Sequence, residues 1–364
     1  MTGDATLLAR ALRQPPAGLG LAQWDLLLRQ ADRADMTITL LYLVEEHGLL
    51  DAIPAQARER LEWCRVRAER HRQAVSWEVG KIRQALGAVE PRLVLLKGAA
   101  YVLAGLPAAR GRLFADIDIL VAHERLPQVE GALMLGGWVS SQHDAYDQRY
   151  YREWMHELPP MQHAKRQTVI DVHHGILPRT AQARPDPARL RAAALPLPGQ
   201  PGLYVLAPAD MVLHSAVHLF HEGEFNHGLR DLFDIHRLLL DFGTLPGFWD
   251  ELPARARELG LERPLFYALR YAGRLLHTAV PAATRAAAEA GRPHRLLLAL
   301  MDQLFGRALL PDHPSCADRF SAGARFLLYI RGNWLRMPPL MLSRHLFHKA
   351  FLSPRPGPER RADA

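Results

Sequence analysis

The stretch Arg112-Leu113-Phe114-Ala115-Asp116-Ile117-Asp118-Ile119-Leu120-Val121-Ala122 leaves the backbone little local freedom. Its run of Ile, Leu and Val favours an extended strand over a helix. Residues two apart on a strand share a face, so Asp116 and Asp118 go to one side and Ile117 and Ile119 to the other. Two adjacent carboxylates on an apolar strand repel each other, and desolvation makes the repulsion worse. Such a pair either stands at a solvated strand end or is neutralised by a cation. The tripeptide is common enough that, taken alone, it favours the first account.

The neighbouring sequence favours the second. Upstream, the apolar run 92–98 ends on Lys97-Gly98, and 99–106 suits a helix. A glycine there lets a phosphate approach the backbone, and a helix start offers free N–H donors. A Lys closing an apolar strand needs water or an anion at its tip. Downstream, Asp171 interrupts a second β-rich run, Thr168-Val169-Ile170-Asp171-Val172-His173. A third carboxylate on a neighbouring strand would complete a site for Mg²⁺, or Mn²⁺ in its place. These ions take carboxylate oxygens and leave positions for phosphate.

The surrounding pattern is helical on both sides. Residues 4–89 carry apolar positions at helical spacing, with 55–86 forming one long amphipathic helix or two short ones. Residues 208–223 and 227–243 read as two helices with glycines at their ends, and further helices are expected near 247–259, 263–278 and 283–306. The predicted fold class is therefore α+β, a mixed β-sheet with flanking helices. Its regions are a helical 1–90, an α/β core at 91–180, a helical 181–352 and a disordered tail at 353–364. The stretch 325–352 could lie on a membrane surface, although a packed final helix pair broken at Pro338-Pro339 is the better reading.

Composition narrows the setting. With 49% hydrophobic and 23% charged residues in 364, the chain is that of an ordinary globular protein. The net charge of +7 fits an anionic partner, but a codon bias toward Arg explains it equally well. Cys64 and Cys316 are far apart and lack metal-ligand spacing, which fits a reducing compartment and sets the cytoplasm as the default. No stretch of about 18 apolar residues suggests a transmembrane segment.

In its order of motifs the chain resembles the polymerase-β-type nucleotidyltransferase superfamily, and most closely its bacterial branch of uncharacterised nucleotidyltransferases. The motifs are apolar-Lys97-Gly98, a helix, Arg112-x-x-x-Asp116-Ile117-Asp118-Ile119-Leu120-Val121, then Ile170-Asp171-Val172-His173, then Leu229-Arg230-Asp231-x-x-Asp234-Ile235. One departure is Gly98-Ala99, where the wider superfamily usually has Gly-Ser or Gly-Gly. The resemblance implies metal ligation by Asp116, Asp118 and Asp171, with Asp171 also a candidate general base. It implies nucleotide contacts from Lys97, Gly98, Arg112, His173, Arg230 and Asp234. Simpler roles stand beside these. Arg112 can be a surface residue, His173 can satisfy a buried polar position, and Arg230 can pair with Asp234 at i, i+4. His214, His218 and His221 share one helical face, which suits packing beside the cleft better than a zinc site.

The expected activity is Mg²⁺-dependent transfer of a nucleoside monophosphate from an NTP, ATP first among them. The acceptor would be a hydroxyl or phosphate on a small molecule or polypeptide, because no nucleic-acid-reading module is visible. The polypeptide case includes an antitoxin-like protein that nucleotidylates a partner. A non-catalytic nucleotide-binding or partner-binding scaffold on the same fold is the alternative, and Ala99 is its best support.

Overall fold

The computed structural model describes residues 4–140 and 148–338. Four helices precede the sheet: α1 (Leu7–Arg13), α2 (Leu21–Arg33), α3 (Thr37–Glu46) and α4 (Ala55–Leu86). In α4 the residues Val75, Val79, Ile82 and Leu86 recur on one face and are all buried, which fixes the side the helix turns inward. Glu78 is buried beside them and holds Arg166 at 2.8 and 2.9 Å and Thr168 Oγ1 at 2.8 Å. This long helix is thereby tied to the sheet through a charge pair as well as apolar packing.

The sheet comprises β1 (Leu93–Leu95), β2 (Asp116–Leu120), β3 (Trp138–Ser140), β4 (Met161–His163), β5 (Val169–His173), β6 (Leu195–Pro196) and β7 (Leu203–Val205), in the order β3-β4-β5-β2-β1-β7-β6. Helix α5 (Lys97–Leu103) leads from β1 toward β2, α6 (Leu126–Leu135) from β2 to β3, and α7 (Pro187–Ala193) precedes β6. The α+β class is therefore the one observed. The sheet extends past residue 180, however, because β6 and β7 pair onto its far edge. With two and three residues, they are too short to show periodicity.

Two local expectations are revised. The run 92–98 stops being a strand at Leu95, and the helix begins at Lys97, whose φ of 44° is left-handed. That conformation is uncommon outside glycine, and here it turns the chain from strand into helix. The single helix expected over 283–306 is two, Ala282–Ala288 and Arg295–Ala308. Between them Gly291 lies so close to Glu262 that a Cβ would meet its carbonyl oxygen at 2.0 Å, and Pro293 disfavours helix at the residue before it.

The remaining helices are α8 (Pro208–His221), α9 (Gly228–Phe242), α10 (Phe248–Leu259), α11 (Glu262–Leu276), α12 and α13 (the two just given) and α14 (Ser321–Arg336). One continuous buried cluster runs from Leu8 and Trp24 through Ile119 and Val172 to Phe305. The N-terminal helices reach the C-terminal ones directly, and Gln30 donates to Ser315 Oγ at 2.7 Å. Gly111, at φ 81°, presses the loop before β2 against α3, where a Cβ would meet the Thr39 nitrogen at 2.4 Å. No helix among the described residues is long and apolar enough to cross a membrane. The tail at 353–364 and the region after Pro338 lie outside the described residues.

Candidate active site

Strands β2 and β5 run parallel in a register that sets Asp118 opposite Asp171, Asp116 opposite Val169 and Leu120 opposite His173. Opposed residues point to the same face, so Asp116, Asp118, Asp171 and His173 project together. The apolar set Ile117, Ile119, Ile170 and Val172 goes to the other face and is buried. Burying that set fixes the register, since a slip of one residue would exchange the faces. One carboxylate oxygen from each of Asp116, Asp118 and Asp171 lies within 4.8 Å of the others.

The electrostatics of the three are unequal. Asp118 is buried, which alone would raise its pKa. The Lys97 ammonium, with Nζ 3.1 Å from Oδ1, and a 2.8 Å hydrogen bond from His173 Nε2 outweigh burial and hold it well below the usual carboxylate range. Among the described residues no cation hydrogen-bonds Asp171, and the His173 charge offsets its burial only in part. Burial, reinforced by the Asp118 charge, pushes its carboxyl up to about 7, and its Oδ1 is buried without a hydrogen-bond partner. An orphaned carboxylate oxygen beside two further carboxylates is a donor set that fits a hard divalent cation.

Lys97 is raised in turn. Burial opposes its charge, but Asp118 and Glu222, the residue after α8, more than compensate. Glu222 also meets His218 Nδ1 at 2.6 Å. Gly98 has a packing reason of its own, because a Cβ there would come within 2.5 Å of the Phe114 ring. Ala99 is buried in the core at 1% exposure. A side chain at that position does not face the cleft, so the lack of a hydroxyl there is a weaker argument against activity than the sequence suggests.

The three carboxylates open into a cleft of about 1660 Å³. Its floor includes Lys97, Gly98, Arg112, Asp116, Asp118 and Asp171, and Arg230 and His218 stand at its side. The opposite wall is a face of α4 carrying Trp63, Val66, Arg67, Arg70 and His71. Sequence reasoning did not pick out this wall, because an amphipathic pattern shows which face is buried and not what the other face looks upon.

Arg112 and Asp234 are brought together, but not as the sequence suggested. Arg112 is buried and ion-paired to Asp234 and, at 3.3 Å, to Asp231. Burial opposes its charge, yet these two carboxylates hold the guanidinium protonated. Both contacts are made by Nη1, and Nε is buried without a hydrogen-bond partner among the described residues. Arg230 pairs with its neighbour Asp231 at 3.2 Å and more loosely with Asp35 at 3.8 Å, in place of the i, i+4 partnership expected with Asp234. His173 and Asp234 stand behind the cleft surface. Of the histidine stripe on α8, His218 reaches the cleft, whereas His214 and His221 are buried.

A family model described as "Uncharacterised nucleotidyltransferase" matches residues 21–277, a span that takes in every residue of this cleft. No curated protein and no solved structure matches the chain.

Proposed function

The chain belongs to the uncharacterised nucleotidyltransferase family, and from that premise we propose that it transfers a nucleoside monophosphate from an NTP to a hydroxyl or phosphate acceptor on a small molecule or polypeptide. The observation that carries this reading is the grouping of Asp116, Asp118 and Asp171 within 4.8 Å. Mg²⁺ held by these carboxylates would neutralise the triphosphate and the attacking oxygen.

The chain's own residues do the rest. Asp171, kept ionised by a cation held beside it, is the carboxylate placed to take a proton from an acceptor hydroxyl. Lys97 carries a half-buried positive charge at the floor, where a triphosphate would gain most from it. Arg67 and Arg70 on α4 are exposed to the cleft and offer planar donors suited to phosphate. Ligand pockets commonly run to about 1,000 Å³, so a cleft of about 1660 Å³ has space for an acceptor beside the nucleotide.

The test is incubation with each labelled NTP and Mg²⁺, comparing wild type with Asp118→Asn. Label transfer or NTP turnover in the wild type that the variant loses supports the reading. Equal turnover in both overturns it. Mg²⁺-dependent NTP binding without turnover, across many acceptors, would instead favour the scaffold alternative.

A further inference from the structure

Behind the acidic group lies a second cluster of different chemistry. Upstream of β4 the chain pairs again with the end of β5: Glu157 bridges His173, Leu158 N donates to Val172 O at 2.9 Å, and His174 N donates to His156 O at 2.8 Å. This pairing brings the side chains of His156, Glu157 and His173 together, with one ligand atom from each within 4.8 Å of the others. The His156 and His173 rings are tilted toward one another at a centroid separation of 5.3 Å.

The hydrogen bonding around this cluster is incomplete. His156 is 8% exposed and His173 3% exposed, and the Nδ1 atoms of both are buried with no hydrogen-bond partner. His173 Nε2 is committed to Asp118 Oδ1 at 2.8 Å. With Nε2 occupied by Asp118, Nδ1 is the position of the ring left open to a ligand. That nitrogen stands 3.2 Å from Glu157 Oε2, outside hydrogen-bonding geometry. A second proton on His173 would answer Glu157 but would leave His156 Nδ1 unanswered. A single cation answers all three.

We propose that His156, Glu157 and His173 form a binding site for a first-row transition dication of the zinc class, separate from the three-aspartate site. Two imidazoles and one carboxylate are a borderline-soft set that suits zinc, whereas magnesium prefers all-oxygen surroundings. A histidine that binds metal through one ring nitrogen commonly donates the other N–H to a carboxylate. His173 already has that arrangement with Asp118. The Glu157 side chain, 19% exposed, gives the ion a way in. The sequence carried a signal in the dipeptide His156-Glu157, but its partner is 16 residues further on and becomes visible only with the strand register.

The proposal does not depend on nucleotidyl transfer, and its test reads metal binding alone. The chelator-stripped full-length chain is titrated with Zn²⁺ in a large excess of Mg²⁺, and separately with Co²⁺ while the visible spectrum is recorded. We expect one Zn²⁺ per chain that Mg²⁺ does not displace, a rise in melting temperature, and Co²⁺ absorption bands of low-coordinate nitrogen and oxygen ligation. His156→Gln and Glu157→Gln, checked for folding by circular dichroism, should weaken Zn²⁺ by at least the roughly 10–100-fold that loss of an outer-shell partner costs. Asp116→Asn should leave it intact. No Zn²⁺ binding by the wild type, or Zn²⁺ binding that Mg²⁺ or Asp116→Asn abolishes, overturns the proposal.

Discussion

Asp118 and Asp171 stand directly opposite each other on neighbouring parallel strands, yet their surroundings drive their acidities in opposite directions. Asp118 is answered by Lys97 and His173, while Asp171 is half-buried beside a fixed negative charge with its buried Oδ1 unpartnered. Two like groups with separated pKa values suit different tasks, one as a permanent anion and the other as a proton acceptor.

This asymmetry makes stability depend on pH in a stated direction. The folded chain holds Asp171 at about 7 against an ordinary 3.8, so between those values it keeps a proton that the unfolded chain has released. The stabilisation from this group is present below the lower value and is lost as pH rises through the higher one. Without divalent cation, the wild type should therefore lose urea resistance relative to Asp171→Asn between about pH 4 and about pH 7. Parallel pH profiles for the two proteins would contradict this.

Gly98 is expected to resist even the smallest enlargement. A Cβ at this position would meet three atoms of the Phe114 ring between 2.5 and 2.8 Å. Gly98→Ala should cost about 1–3 kcal/mol in denaturant unfolding, as overpacking does. Combining it with Phe114→Leu should recover part of that loss. A double variant no more stable than Gly98→Ala would show that the clash is not the cause.

The buried pair of Arg112 and Asp234 should behave as a structural unit. Asp234→Ala strips the guanidinium of one of its two carboxylates and is expected to destabilise by up to about 3–5 kcal/mol, with Asp231 softening the effect. Replacing both partners together, as in Arg112→Met with Asp234→Leu, should cost less than Asp234→Ala alone. Chemical denaturation of the three variants decides the order.

Arg67 and Arg70 face the cleft, whereas Lys97, Arg112 and Arg230 already have carboxylate partners. Each of Arg67→Ala and Arg70→Ala should weaken NTP binding by about tenfold, the loss of one charge-assisted hydrogen bond. Folding stability should barely change. Calorimetric titration gives the affinities, and unchanged values would remove α4 from the nucleotide's surroundings.

Alternation alone was enough to place Asp116, Asp118, Asp171 and His173 on one face, because the apolar partners Ile117, Ile119, Ile170 and Val172 demand the other. What sequence could not show was long-range partnership. Arg112 meets Asp234 across 122 positions, and i, i+4 spacing offered Arg230 a nearer but wrong companion. Arg67 and Arg70 read as a solvated helix face until the sheet stands opposite them. His156 and Glu157 lie 17 and 16 positions before His173, and only their pairing with the end of β5 brings them to it.

Asp116, Asp118 and Asp171 together should hold a divalent cation, and Mn²⁺ binding followed by electron paramagnetic resonance tests this most directly. In the presence of a non-hydrolysable NTP analogue, the wild type should bind Mn²⁺, and Asp116→Asn, Asp118→Asn and Asp171→Asn should each lose most of that binding while remaining folded. Mn²⁺ binding by Asp118→Asn equal to that of the wild type would contradict the account.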